Sequence, residues 1–392
     1  MVLGMSMDSN PSQAPDPSES PDSPPAAAPD RVRQFMHTLA GFTPRVLVTP
    51  TLVGLNLAMF GVMVASGVSP FSPTAEVVAR WGATFGPFTA SGQWWRLFSA
   101  MFIHIGLLHV AMNMWVLWMV GPLVERILGH AGFGIVYLLS GVAGGLASLW
   151  WSPMAVSAGA SGAVFGVYGV LLAFLVRKRR AIPLQVLRGL RSSTLVFVGF
   201  NLLFGLVHKG VDMGAHVGGL AGGFVFGLPL CHPLTAVAWS TRWRRNILVL
   251  VLGGSMLAGI AFLLRNDGGH LQRELERFVQ VEQRVVDRYN VALRQVRERK
   301  MSDGELVRVL RSEVIGPWRA ARQRIEGIRK HGKLPALYVR RAERLLSYMR
   351  LREQGWALLC EALVQQDREK ADRATRMQRR AERALKMIEG RQ

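Results

Sequence analysis

Residues 159–176 read GASGAVFGVYGVLLAFLV, with a lone serine, Ser161, near the start and no charged side chain. Residues 214–230 read GAHVGGLAGGFVFGLPL and place one histidine, His216, at the matching point. Crossing a bilayer core takes about 20 apolar residues. Backbone polar groups in lipid must pair within the segment, so each stretch reads as a transmembrane helix. Polar side chains in such helices are costly and are candidate functional groups by default.

Working outward, the chain of 392 residues is 50% hydrophobic and 19% charged, against about 25% charged in an average soluble protein. Its apolar residues concentrate between Val46 and Leu264. Seven spans are expected, at approximately Val46–Gly67, Phe102–Gly121, Phe133–Trp151, Gly159–Val176, Thr194–Val207, Ala215–Leu230 and Ile247–Leu264, the fifth being short. Arg31, Arg33 and Arg45 precede the first. Arg177, Lys178, Arg179, Arg180, Arg188 and Arg191 separate the fourth and fifth, and Arg242, Arg244 and Arg245 precede the seventh. The alternate loops are poorer, with only Lys209 between spans five and six. The positive-inside rule puts the N-terminus in the cytosol and the C-terminus outside. The region after Leu264 holds 31 basic and 18 acidic residues. Long domains translocate largely regardless of charge, so the short loops decide.

This topology absorbs much of the net charge of +21 and argues against a nucleic-acid partner. Residues 1–30 lack Lys and Arg and are rich in Pro, Ser and Ala, a composition that stays disordered and has no signal-peptide pattern. Cys231 and Cys360 build neither a disulfide framework nor a metal site. No HExxH motif and no pair of intramembrane aspartates occurs, and no internal repeat points to a transporter.

His109 and Asn113 lie near the start of span two, Ser161 near the start of span four and His216 at the start of span six. All three spans are even-numbered, so these groups share the outer depth. A hydroxyl, an imidazole and an amide suffice for acyl transfer: a histidine activates the serine, and the amide and a second imidazole donate to the oxyanion. No acid lies within these spans (Glu125 is at the cytosolic end of span two), so a Ser–His dyad is expected. Asp212 reads as solvated.

Gly159-Ala160-Ser161-Gly162 resembles the GxSG motif of the rhomboid family of intramembrane serine proteases. Gly214-Ala215-His216-Val217-Gly218-Gly219 is similar to that family's AHxxG helix. His104, His109 and Asn113 match its HxxxxHxxxN pattern, and Trp95-Arg96 matches its WR pair. Val124-Glu125-Arg126 is also similar. The resemblance covers roughly Trp94 to Leu230. It implies an all-α rhomboid-type six-helix bundle with Ser161 as nucleophile and His216 as base. It further implies an oxyanion site of His109, Asn113 and the Ser161 N–H, with Phe165 packed on the catalytic imidazole. Transmembrane helices would be the substrates. No metal or cofactor is implied, and a bacterial inner membrane fits.

Each residue also has a plainer reading. Ser161 could be a small residue at a helix contact, and Gly214, Gly218 and Gly222 could seat another helix, with Gly162 and Gly166 as the complementary pair. His216, His109 and Asn113 could be interhelical hydrogen-bonding groups. His104, Trp95 and Arg96 fit a structural role in the first loop. A catalytically silent rhomboid relative that binds membrane clients is the alternative function, although such relatives typically lack the serine or histidine.

The expected organisation is a tail and basic juxtamembrane segment over 1–45, a six-span core over 46–231, a loop and seventh span over 232–264, and a basic helical domain over 265–392. That last region shows helical periodicity. Gly304, Gly316-Pro317 and Gly332 with Pro335 predict breaks between about four helices. Its basic faces suit anionic lipid headgroups, with a solvated spacer as the other reading.

Overall fold

The computed structural model describes residues 28–178, 183–208, 210–231 and 236–389. Most of the tail expected to be disordered, and Arg179, Arg180 and Lys209 used for the orientation, lie outside them. Helix α1 (Ala28–Phe42) precedes the first span, which the sequence reading does not anticipate. It buries Leu39 and Phe35 in the membrane-side core.

Helix α2 (Val48–Ala65) starts on a buried acid. Glu125 accepts from the backbone N–H groups of Leu47, Val48 and Thr49, each at 2.8 Å, and from Thr49 Oγ1 at 2.7 Å. These are the donors a helix start leaves unpaired, and a carboxylate suits the positive end of the dipole. The first loop follows with α3 (Ala75–Arg80), strand β1 (Thr84–Phe85), the single turns α4 (Gly86–Thr89) and α5 (Arg96–Ser99), and a 3-10 turn over Ala100–Phe102.

Spans two and three form one stretch, α6 (Leu107–Trp151), broken at Gly129, whose φ of 74° takes the chain out of the helix. Span two therefore begins later than expected. Phe102 lies in the 3-10 turn, and Gly106, at φ 94°, turns the chain into α6. Strand β2 (Val156–Ser157) pairs antiparallel with β1. Then come α7 (Ser161–Lys178), α8 (Leu184–Val207), α9 (Met213–Leu230), α10 (Ala236–Ser240) and α11 (Arg242–Leu264). At 24 residues, α8 is ten longer than the apolar stretch that announced it. Its first turns carry Arg188 and Arg191, expected in a loop; long basic side chains near a span's end reach back to the interface. Helices α2, α6, α8, α9 and α11 are long and apolar enough to cross a membrane, and α7 is a shorter apolar helix.

The C-terminal region consists of α12 (Gly268–Arg297), α13 (Asp303–Val309), a π-helical segment over Leu310–Ile315, α14 (Gly316–His331), α15 (Ala336–Gln365) and α16 (Arg368–Glu389). One expected break falls a few residues early, at 298–302, and another fails. Gly304 lies inside the first turn of α13, which starts on a Ser302–Glu305 capping box. Gly316-Pro317 lies at the head of α14, where proline needs no intrahelical donor, so helix runs on from the π segment. A left-handed Gln366 makes a break the sequence reading does not contain. This region has its own core around Trp318 and Trp356.

Candidate active site

The turn before Ser161 is built around a glycine. Gly159 sits at φ +125° and donates its N–H to Ala100 O at 2.9 Å. A Cβ there would lie 2.6 Å from His109 Cε1 and 2.8 Å from Nε2, so the imidazole rests directly on this turn. The next N–H, of Ala160, donates to Nε2 of fully buried His104 at 3.3 Å. The His104 and His109 rings meet edge to face at 5.2 Å. His104 thus holds the loop that delivers Ser161.

His109 Nδ1 accepts from the Ile105 N–H at 3.3 Å. A neutral ring accepting there carries its proton on Nε2, the atom beside the Gly159 turn. Asn113 Nδ2 donates to His109 O at 2.8 Å, one turn back, which leaves its second N–H. Ser161 opens α7, so its N–H has no intrahelical acceptor.

Helices α7 and α9 meet through backbone. A methyl added at Gly219 would overlap Gly162 O, and one at Gly223 would overlap Gly166 O. Gly162 in turn faces Ala215 O. Gly214, Gly218 and Gly222, expected to meet span four, face Ser148, Ala147 and Ala143 of α6 instead. The glycine seam that faces α7 is one position later. Both seams have four-residue spacing, so spacing alone could not choose between them.

This contact sets the first turns of α7 and α9 side by side. The His216 ring, 8% exposed, stacks on Phe165 at 4.2 Å and 15°. Phe165 is one turn after Ser161, and Phe197 of α8 lies 5.6 Å beyond it. Among the described residues, His216 Nδ1 has no hydrogen-bond partner. Asp212, expected to be solvated, caps α9 by accepting the Ala215 N–H at 2.9 Å. An Asp three residues before that donor is an N-cap signal the sequence offers.

Trp95 and Arg96 stand in the first loop. Arg96 is buried, donates to Ala79 O at 2.5 Å, Ala83 O at 3.0 Å and Gln93 Oε1 at 2.6 Å, and lies 4.8 Å from the Trp95 ring. Three acceptors explain how a charged group stays buried. Trp95 is 55% exposed and packs over Gly82.

The Rhomboid domain family matches residues 91–233. The putative rhomboid protease YdcA of Bacillus subtilis (strain 168) is 33% identical over 161 residues, 40% of this chain and 78% of that protein. This chain belongs to the rhomboid family. The rhomboid protease GluP of the same bacterium is 35% identical over 209 residues, 53% of this chain but 39% of GluP. RHOMBOID-like protein 7 of Arabidopsis thaliana is 32% identical over 188 residues, 46% of this chain and 56% of the plant protein. The rhomboid chain described here is accordingly an integral multi-pass membrane protein.

Proposed function

We propose that this rhomboid is an intramembrane serine endopeptidase that cuts transmembrane segments of other membrane proteins. The observation that carries the reading is the meeting of the first turns of α7 and α9, with the His216 ring stacked on Phe165 one turn from Ser161.

In this mechanism His216 takes the proton of Ser161 Oγ as the oxygen adds to the scissile carbonyl. The tetrahedral oxyanion accepts from His109 Nε2–H, Asn113 Nδ2–H and the Ser161 N–H, donors fixed before the charge develops. Its collapse breaks the C–N bond, and His216 returns the proton to the leaving amine. Water, deprotonated by His216, then hydrolyses the acyl-enzyme. Among the described residues, no hydrogen bond joins Ser161 to His216; such bonds often tighten only around substrate. The seven-span count follows if α6 crosses twice about Gly129 and α7 crosses once. The orientation read from the short loops then opens the site to the outside of a bacterial inner membrane.

The test is cleavage of a transmembrane reporter in liposomes by the parent, Ser161→Ala and His216→Ala. The parent should cut and both variants should not. Equal cleavage by all three would overturn the dyad. A fluorophosphonate should label the parent and spare Ser161→Ala, which a silent relative would not reproduce.

A further inference from the structure

Two adjoining cavities lie away from the proposed dyad. The first, about 300 Å³, sits where α6 and α11 end against the C-terminal region. Its walls carry two cations, Arg265 and Lys333, with Asn266, Pro153, Trp150 and Leu264. Both cations are exposed, and neither has an acidic partner among the described residues. The nearby Asp267 carboxylate accepts the backbone N–H of Lys333 on Oδ2 at 2.7 Å.

The second cavity, about 360 Å³, is an apolar groove between α6, α9 and α11, lined by Ala147, Ala221, Gly222, Phe226, Met256 and Leu257 among others. Trp150 and Leu264 line both cavities. A groove at membrane depth thus leads into a cationic pocket, with a tryptophan at the junction, where such rings mark the interface.

We propose that these cavities together form a binding site for one anionic phospholipid, its acyl chain in the groove and its phosphate between Arg265 and Lys333. An apolar helix would satisfy the groove and leave the cations unmatched; inorganic phosphate would do the reverse. A lipid carries both chemistries in this order. The site requires only that these helices cross a bilayer and is independent of the protease reading. It bridges the spans, the first loop through Gly86 and Ala90, and the C-terminal region through Lys333.

The test is native mass spectrometry of the full chain in detergent, with equimolar phosphatidylglycerol and phosphatidylcholine of identical acyl chains. Two surface cations give an expected preference of about thirtyfold for the anionic lipid. Arg265→Gln with Lys333→Gln should keep one bound lipid and bring that preference near unity. Ala221→Phe, which fills the groove from an exposed position, should weaken both lipids about tenfold. Equal binding of the two lipids by the parent, or an unchanged preference in the double variant, would overturn the site. Displacement of phosphatidylglycerol by millimolar phosphate, equally in the parent and Ala221→Phe, would mark a free-anion site and overturn the lipid assignment.

Discussion

The membrane bundle and the C-terminal bundle are both helical, and they are held together by opposite means. Where α7 crosses α9 the contact residues are Gly162, Gly166, Gly219 and Gly223, and backbone touches backbone. In the C-terminal bundle the contact is made by large rings. Trp318 is fully buried, lies 5.0 Å from Trp356 and 5.1 Å from Phe278, and donates Nε1–H to Met349 O at 2.9 Å. Arginine–glutamate pairs close its edges, among them Arg288–Glu313 at 2.7 Å and Arg324–Glu274 at 2.8 Å. Lipid is as apolar as leucine, so burial gives spans little drive to associate, and close packing of small residues takes its place. Water restores the drive, and large side chains then dominate.

The sharpest way to break this comparison is to empty the aromatic core. Trp318→Ala should cost the C-terminal bundle about 3–5 kcal/mol. Hydrogen exchange should rise across residues 268–389 and stay low in α7 and α9; a uniform rise would mean that the two regions unfold as one. The converse change is Gly219→Leu, which drives a side chain into the Gly162 carbonyl. A displacement of about 1 Å between Ser161 and His216 should lower cleavage of the reporter about a hundredfold, while the C-terminal bundle keeps its exchange protection. Wild-type cleavage by this variant would remove the glycine contact from the account of the site.

A smaller change probes the helix that carries His216. Asp212→Ala removes the cap of α9 and should cost about 1 kcal/mol, measured as thermal stability in detergent, whereas Asp212→Asn should stay near the parent because Asn caps as well as Asp. A loss in both variants would assign Asp212 an electrostatic role beyond capping.

Much of the bundle was legible because lipid leaves few choices: an apolar stretch must be helical, and a lone Ser161 or His216 within it is conspicuous. Phe165 stacks on His216 because the two first turns lie side by side. What escaped depends on which face of a helix meets which neighbour. Glycines at 214, 218 and 222 and glycines at 219 and 223 share one spacing, and only the three-dimensional packing assigns the first set to α6 and the second to α7. Glu125 stands out in the sequence as an acid at a span's end and within Val124-Glu125-Arg126, but its capping role stays hidden because its partners, Leu47 to Thr49, lie more than 70 residues earlier. The run of α13 into α14 escaped for a local reason: Gly-Pro reads as a stop, yet proline is at home in a helix's first turn.

The smallest expected effect concerns the edge of the C-terminal bundle and has a pH signature. Glu353 accepts from Arg319 at 2.6 Å and from Arg322 at 2.7 Å, bridging α15 to α14. Burial alone would raise its pKa; the hydrogen bonds and charges of the two arginines outweigh that and hold it below the ordinary carboxylate value. A lowered folded-state pKa means that the unfolded chain takes up the proton first. The stabilisation is therefore fully present above the unfolded value of about 4.3 and fades as pH falls through the folded one. Glu353→Gln should cost about 1 kcal/mol or less at neutral pH, since partly exposed pairs contribute modestly. The gap between parent and variant should close as the buffer is taken below about pH 4. Hydrogen exchange of α14 and α15 against pH measures both, and a gap that persists undiminished in acid would show that Glu353 acts there by packing rather than by charge.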